Sequence, residues 1–154
     1  MNTTLSNGKA KTTRTTFARE TSVSVEISAS REIIWALLTN AADFPRWNST
    51  IIELNGEIQP GGKLNLRSKL DPKRVFNLRV KSFEQGVVLS WGDAMGTRTF
   101  TLNSIGQNRC HFTMQEKIGG PLFPLFAGMI PSFDASFDQF ALDLKNEAEK
   151  ISTI

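Results

Sequence analysis

With 154 residues, 40% of them apolar and 21% charged, the chain is sized for one soluble domain with a sizeable core. No apolar run approaches the roughly 20 residues that span a bilayer, Met1–Arg19 lacks the apolar centre of a signal peptide, and the lone Cys110 excludes an internal disulfide framework; a cytoplasmic location is expected. The net charge of +3 is unevenly placed: residues 1–20 sum to +3, residues 61–81 to +6, and the remainder to −6, giving one basic and one acidic side.

Residues 1–16 are rich in Thr, Asn, Lys and Ser without periodicity and read as a flexible tail ahead of a single domain over 17–154. Val23, Val25 and Ile27 alternate with Ser22, Ser24 and Glu26, a half-buried first strand. Ser30 then caps a helix through Ile33, Ile34, Trp35, Leu37 and Leu38, ending near Asn40. Pro45 interrupts regular helix beyond that point, so Asp43–Asn48 is a short helical turn or loop carrying Phe44 and Trp47.

From Thr50 the apolar period becomes two. Ile51–Ile58 is a strand closed by Pro60-Gly61-Gly62. Leu64, Leu66 and Leu70 alternate with Lys63, Asn65, Arg67 and Lys69, and Asp71-Pro72 turns the chain. Phe76, Leu78 and Val80 form the next inner row; after Gln85-Gly86 come Val87, Leu89 and Trp91, and after Gly92–Gly96 come Phe100 and Leu102. The last strand carries Cys110, Phe112, Met114, Glu116 and Ile118 inward and His111, Thr113, Gln115 and Lys117 outward. Hairpin-length connections make an antiparallel meander with one dry face. Beyond Gly119-Gly120-Pro121 lies an apolar lead-in, Leu122 to Ile130. Then Phe133, Phe137, Phe140, Leu144, Ala148 and Ile151 mark one stripe of a long helix over Pro131–Ile151, with Ser132 as its expected N-cap.

The order of strand, two short helices, about six antiparallel strands and a long C-terminal helix resembles the helix-grip fold of the START-like, or polyketide cyclase/dehydrase (SRPBCC), superfamily, to which the birch pollen allergen Bet v 1 belongs. Three local features carry the resemblance across residues 21–151: Ile34-Trp35 to Pro45-Arg46-Trp47-Asn48, Leu89-Ser90-Trp91-Gly92, and Glu116-Lys117-Ile118-Gly119-Gly120-Pro121-Leu122. It implies an α+β domain in which a curved antiparallel sheet of about seven strands wraps around the long helix. It also implies a hydrophobic ligand held between sheet and helix.

Aromatic residues exceed what a solid core usually draws, and ligand pockets are lined this way with few polar groups. The expected lining is Trp47, Leu64, Leu66, Phe76, Leu78, Leu89, Trp91, Phe100, Met114, Glu116, Phe123, Phe126, Met129, Phe133 and Phe137. Glu116 is the notable member, because an unpaired carboxylate on an apolar face is costly. It is either a polar anchor and candidate acid or base inside a cavity, or a rim residue paired with an arginine. The leading expectation is binding or carriage of a small to medium hydrophobic molecule, lipid- or polyketide-like. The alternatives are a cyclase/aromatase/dehydratase-type enzyme using Glu116 with Arg98 or Ser68, and an accessory protein docking its basic face on a membrane or partner.

His111, the only histidine, faces away from Cys110, so no metal site is expected, and no cofactor. Lys63, Arg67, Lys69, Arg79 and Lys81 form outward rows on adjacent strands, suited to solvent or to weak contact with an anionic membrane or acidic protein. Aromatics do not interleave with them, which disfavours nucleic acid. The expected assembly is a monomer or homodimer.

Overall fold

The computed structural model describes residues 7–153. Eight strands form a single antiparallel sheet: β1 (Lys11–Arg14), β2 (Ala18–Ile27), β3 (Ile51–Gly56), β4 (Lys63–Ser68), β5 (Asp71–Glu84), β6 (Val88–Gly92), β7 (Gly96–Gly106) and β8 (Arg109–Gly119). Their spatial order is β1-β2-β8-β7-β6-β5-β4-β3, so β3 to β8 are a meander and β2 closes back beside its last strand. The helices are α1 (Arg31–Leu38), α2 (Phe44–Trp47), α3 (Phe123–Phe126) and α4 (Asp134–Ser152).

Bulges interrupt the β3–β4, β4–β5, β5–β6 and β7–β8 ladders. Each adds local twist and bends its strand, which curls the sheet around α4. The helix lays Phe137, Phe140, Ala141, Leu144 and Ala148, all essentially inaccessible, into the concave face. Phe140 is the hub of the core: its ring lies 5.7 Å from Phe100, 6.1 Å from Phe44, 6.1 Å from Trp47 and 6.4 Å from Phe112. Ser30 caps α1 as expected, accepting a 3.3 Å bond from the Ile33 N–H.

Three expectations need correction. First, the expected tail over residues 1–16 does not hold at Lys11–Arg14. Residues 1–6 lie outside the described residues, but Lys11–Arg14 pair with β2 as an edge strand. A run of Lys, Thr and Arg shows no apolar alternation, and side-chain bonds hold it instead. Thr12 Oγ1 donates to Asp134 Oδ1 at 2.5 Å, and the Ala10 N–H donates to Asp138 Oδ1 at 2.6 Å. Second, the β4–β5 turn falls at Lys69-Leu70, and Asp71-Pro72 already opens β5. Proline is tolerated at a strand's beginning, where few ladder bonds are demanded of it. Third, Ser132 does not occupy the N-cap of α4; Phe133 does, while the Ser132 Oγ accepts a 3.3 Å bond from the Asp134 N–H.

Candidate functional site

Antiparallel pairing gathers the β1–β2, β4–β5 and β6–β7 turns and the end of β8 at one end of the sheet. There β5 overshoots its partner, because the β5–β6 ladder stops at Arg79 opposite Gly92. The overshooting stretch, paired only with β4, forms a raised wall. The chain between α3 and α4 crosses opposite it. A cavity of about 220 Å³ opens between them. Leu66, Ser68, Leu70, Asp71, Arg74, Phe76 and Leu78 form the β4–β5 wall; Trp91, Gly92, Asp93, Met95, Gly96 and Arg98 come from β6, β7 and their turn. Glu116 and Ile118 of β8 form the floor, and Met129, Ile130, Pro131 and Phe133 the roof.

Seven of the expected residues thus share this cavity: Leu66, Phe76, Leu78, Trp91, Glu116, Met129 and Phe133. Trp47, Leu64, Leu89, Phe100, Met114, Phe123 and Phe137 are buried core and do not line it. Phe126 is exposed on α3. The cavity expected between sheet and C-terminal helix is thus confined to one end of that interface. Beneath the body of α4 the stacked phenylalanines fill it, and room remains only ahead of the helix's first turn.

Polar chemistry is concentrated at the floor. Arg98 and Glu116 are directly opposed in the β7–β8 register, and Arg98 Nε donates to Glu116 Oε1 at 2.7 Å. Their side chains are 12% and 17% exposed. Glu116 does face the apolar side, and a cross-strand cation compensates its charge. The Arg98 guanidinium also lies 5.0 Å from the Phe137 ring centroid and 5.9 Å from that of Phe140. The other candidates are engaged elsewhere. Ser68 Oγ accepts from the Leu70 N–H at 3.1 Å and donates to the Thr50 carbonyl, bracing the turn. Asp93 Oδ1 accepts from the Met95 and Gly96 N–H groups at 2.9 and 3.0 Å.

One residue that sequence reasoning missed is Arg19, 3% exposed. Its Nη groups donate to the carbonyls of Ile130 (3.1 Å) and Pro131 (2.8 Å), and its guanidinium lies 4.6 Å from the Phe133 ring centroid. It therefore pins the roof to the sheet. Burial pushes its pKa down from the usual guanidinium value, Arg14 adds to that, and Glu116 and Asp134 oppose it. The signal was available: extending the inward parity of Ile27, Val25 and Val23 backwards reaches Thr21 and Arg19.

No family model matches the sequence, and no curated protein does. Solved structures do. A START superfamily protein from Mycobacterium smegmatis superposes with a TM-score of 0.64 at 18% identity, over 86% of this chain and 98% of that one. Norcoclaurine synthase from Thalictrum flavum gives 0.65 at 11% identity, over 92% and 98%. The Zhui aromatase/cyclase from Streptomyces sp. R1128 gives 0.66 at 9% identity, over 86% and 94%. The chain has the START-like helix-grip fold. At such identities the likeness concerns architecture alone, since one fold hosts many activities.

In this helix-grip chain the basic rows lie on the outer surface, away from the cavity, and are partly neutralised. Arg67 pairs with Glu53 at 3.3 Å, and Lys81 Nζ donates to the Asp93 carbonyl and Thr97 Oγ1. Lys63 sits opposite Arg79, and Lys69 occupies the exposed β4–β5 turn. The cavity end carries a cluster of exposed apolar side chains. Met129 is 79% and Leu125 72% exposed, with Leu122, Phe126, Phe17 and Met95 exposed beside them. The backbone joins these residues: the Gly119 N–H donates to the Met95 carbonyl and the Gly120 N–H to that of Phe17. Among the described residues no helix is long and apolar enough to cross a membrane.

Proposed function

We propose that the protein binds a small, largely apolar molecule in the cavity between the β4–β5 wall and the residue 129–133 roof. The observation that carries this is the composition of the walls: aliphatic and aromatic side chains predominate around the oriented Arg98–Glu116 pair, with Ser68, Asp71, Arg74 and Asp93 the other polar members, the pattern of a site that holds an apolar body and reads few polar groups. The volume of about 220 Å³ is below the roughly 300–1,000 Å³ of drug-sized pockets, which favours a small ligand or one end of a longer one. Carriage is favoured over cyclase- or dehydratase-type catalysis because Glu116, Ser68 and Asp93 all have partners, and no histidine stands at the site to act as base. A cytoplasmic setting is part of this proposal.

The test is native mass spectrometry of freshly purified protein together with titration by the neutral fluorophore N-phenyl-1-naphthylamine. A co-purified small-molecule mass or saturable one-to-one fluorescence supports the reading; an apo mass with no saturable signal refutes it.

A second proposal, docking on an anionic lipid surface, is favoured by the exposed apolar cluster around the cavity mouth, flanked by Arg14, Lys73, Arg74 and Lys117. Leu125→Ser with Met129→Ser should then release the protein from phosphatidylglycerol vesicles, whereas Arg67→Glu with Arg79→Glu on the outer sheet face should matter less. Absence of wild-type binding to those vesicles removes this proposal.

A further inference from the structure

We infer that Arg98 is the polar anchor of the bound molecule and that the ligand is an amphipathic carboxylic acid, seated with its acid group inward against that guanidinium. The inference rests on the cavity reading above and names the ligand class for it.

The inward row of β7 carries Arg98 in line with Phe100 and Leu102, so strand parity alone sends it to the concave face. Two contacts then fix the plane of its guanidinium. Nε is committed to Glu116 Oε1, and the phenyl rings of Phe137 and Phe140 lie within cation–π distance. The Nη1 and Nη2 groups remain. Among the described residues neither donates to any protein acceptor, although the side chain is 12% exposed and borders the cavity. Both nitrogens keep solvent access at the cavity, so they are open to an incoming acceptor. The free edge of a guanidinium is a two-donor fork whose spacing fits the two oxygens of a carboxylate.

Charge selects an anion over a neutral carbonyl. Glu116 offsets one guanidinium, but Arg19 is a second one close enough to Glu116 to interact with it, and Arg19 has spent its Nη donors on the roof carbonyls. Two guanidinium groups therefore stand near the one Glu116 carboxylate, with Arg98 supplying hydrogen bonds, while the lining as a whole carries Arg74 and Arg98 against Asp71, Asp93 and Glu116. Asp134 also faces Arg19, from the first turn of α4, outside the cavity lining, where Thr12 holds it. Of the other acids in the walls, Asp93 is tied to its turn and Asp71 is exposed at the start of β5. The apolar walls above the floor take the ligand's hydrocarbon or aryl body, and the exposed mouth lets a longer chain extend past Met129.

The test is displacement of N-phenyl-1-naphthylamine at pH 8 by decanoate, methyl decanoate and decanol. Wild type should prefer decanoate over the ester and the alcohol by at least about tenfold, the scale of one charge-assisted hydrogen bond. Arg98→Gln should bring the three competitors together. Arg98→Lys, which keeps the charge and loses the fork, should fall between. Glu116→Gln should raise the preference for decanoate, since it removes a competing negative charge; a structural role for the pair predicts a fall. Arg67→Gln, on the outer sheet face away from the cavity, should leave the preference in place. Equal displacement by all three competitors in wild type overturns the inference while leaving the cavity reading intact. So does loss of the preference in Arg67→Gln with retention in Arg98→Gln. No saturable binding of the fluorophore by wild type overturns both.

Discussion

The division of the sheet–helix interface into solid core and cavity can be tested by three phenylalanines of one helix face. Phe133, Phe137 and Phe140 succeed one another along the apolar stripe leading into α4, and from sequence the first two were expected in the cavity lining. Their surroundings differ. Phe137 and Phe140 are 0% and 1% exposed, and Phe140 touches four other rings, whereas Phe133 is only half-buried and borders the cavity. Truncating a packed phenylalanine forfeits about 1.5–3 kcal/mol of transfer free energy and adds a void term, which together bring Phe→Ala to roughly 3–5 kcal/mol. Aromatic pairs contribute about 0.5–1.5 kcal/mol each beyond area, which places Phe140→Ala at the upper end of that range. Phe133→Ala enlarges a space that already exists, so its cost should stay near 1–2 kcal/mol, the low side of truncation effects. Urea unfolding midpoints at constant m-value measure all three. A Phe137→Ala loss no larger than that of Phe133→Ala would refute the reasoning, because it would mean that the cavity continues beneath the helix.

Three further outcomes are expected. Glu149 on α4 accepts from Lys145 Nζ and from the Ser28 N–H; burial works against its charged form, but these bonds outweigh it and hold its pKa below the usual 4.5. A depressed carboxyl pKa stabilises the fold above the unfolded value, and this is lost as pH falls through the folded one. Glu149→Gln should therefore cost about 1 kcal/mol at pH 7 and almost nothing by pH 3, read from denaturant midpoints at both; an equal cost at both would contradict it. Cys110 is fully buried and burial raises its thiol pKa, so Ellman's reagent at pH 8 should leave the folded protein unlabelled and titrate one thiol in urea; labelling without denaturant would contradict the packing. At Gly92 an added Cβ would meet the Gly96 carbonyl oxygen at 2.2 Å and the Thr97 Cα at 2.8 Å, so Gly92→Ala should cost at least about 2 kcal/mol in urea unfolding by forcing the β6–β7 hairpin apart, and a neutral effect would contradict that close approach.

Most of the architecture was legible because it rests on periodicity. Alternation from Ile51 to Ile118 marked the meander, the stripe from Phe133 to Ile151 marked α4, and inward parity placed Glu116 on the concave face. β1 was illegible because Lys-Thr-Thr-Arg has no apolar row; its place depends on Asp134 and Asp138, more than 120 residues away. The cavity was half legible. Parity tells which face a side chain occupies but not how far along the sheet it lies. Leu64 and Leu66 have equal parity on β4, yet only Leu66, one step nearer the β5 overshoot, reaches open space. The length of that overshoot is set by where β6 ends, at Gly92, which neither β4 nor β5 encodes. Ion-pair partners were equally hidden. Arg98 was named as a candidate beside Glu116, but their direct opposition comes from a register fixed by the whole β7–β8 ladder.

The central claim is that a ligand enters the end of the grip and not its middle. Methyl-resolved NMR during titration with N-phenyl-1-naphthylamine tests it most directly. The methyl signals of Leu66, Leu78, Ile118 and Met129 should shift in a saturable way, while those of Leu89, Leu102 and Leu144 in the packed core stay near their starting positions. Shifts centred on the second group, or no saturable shifts in the first, would contradict it.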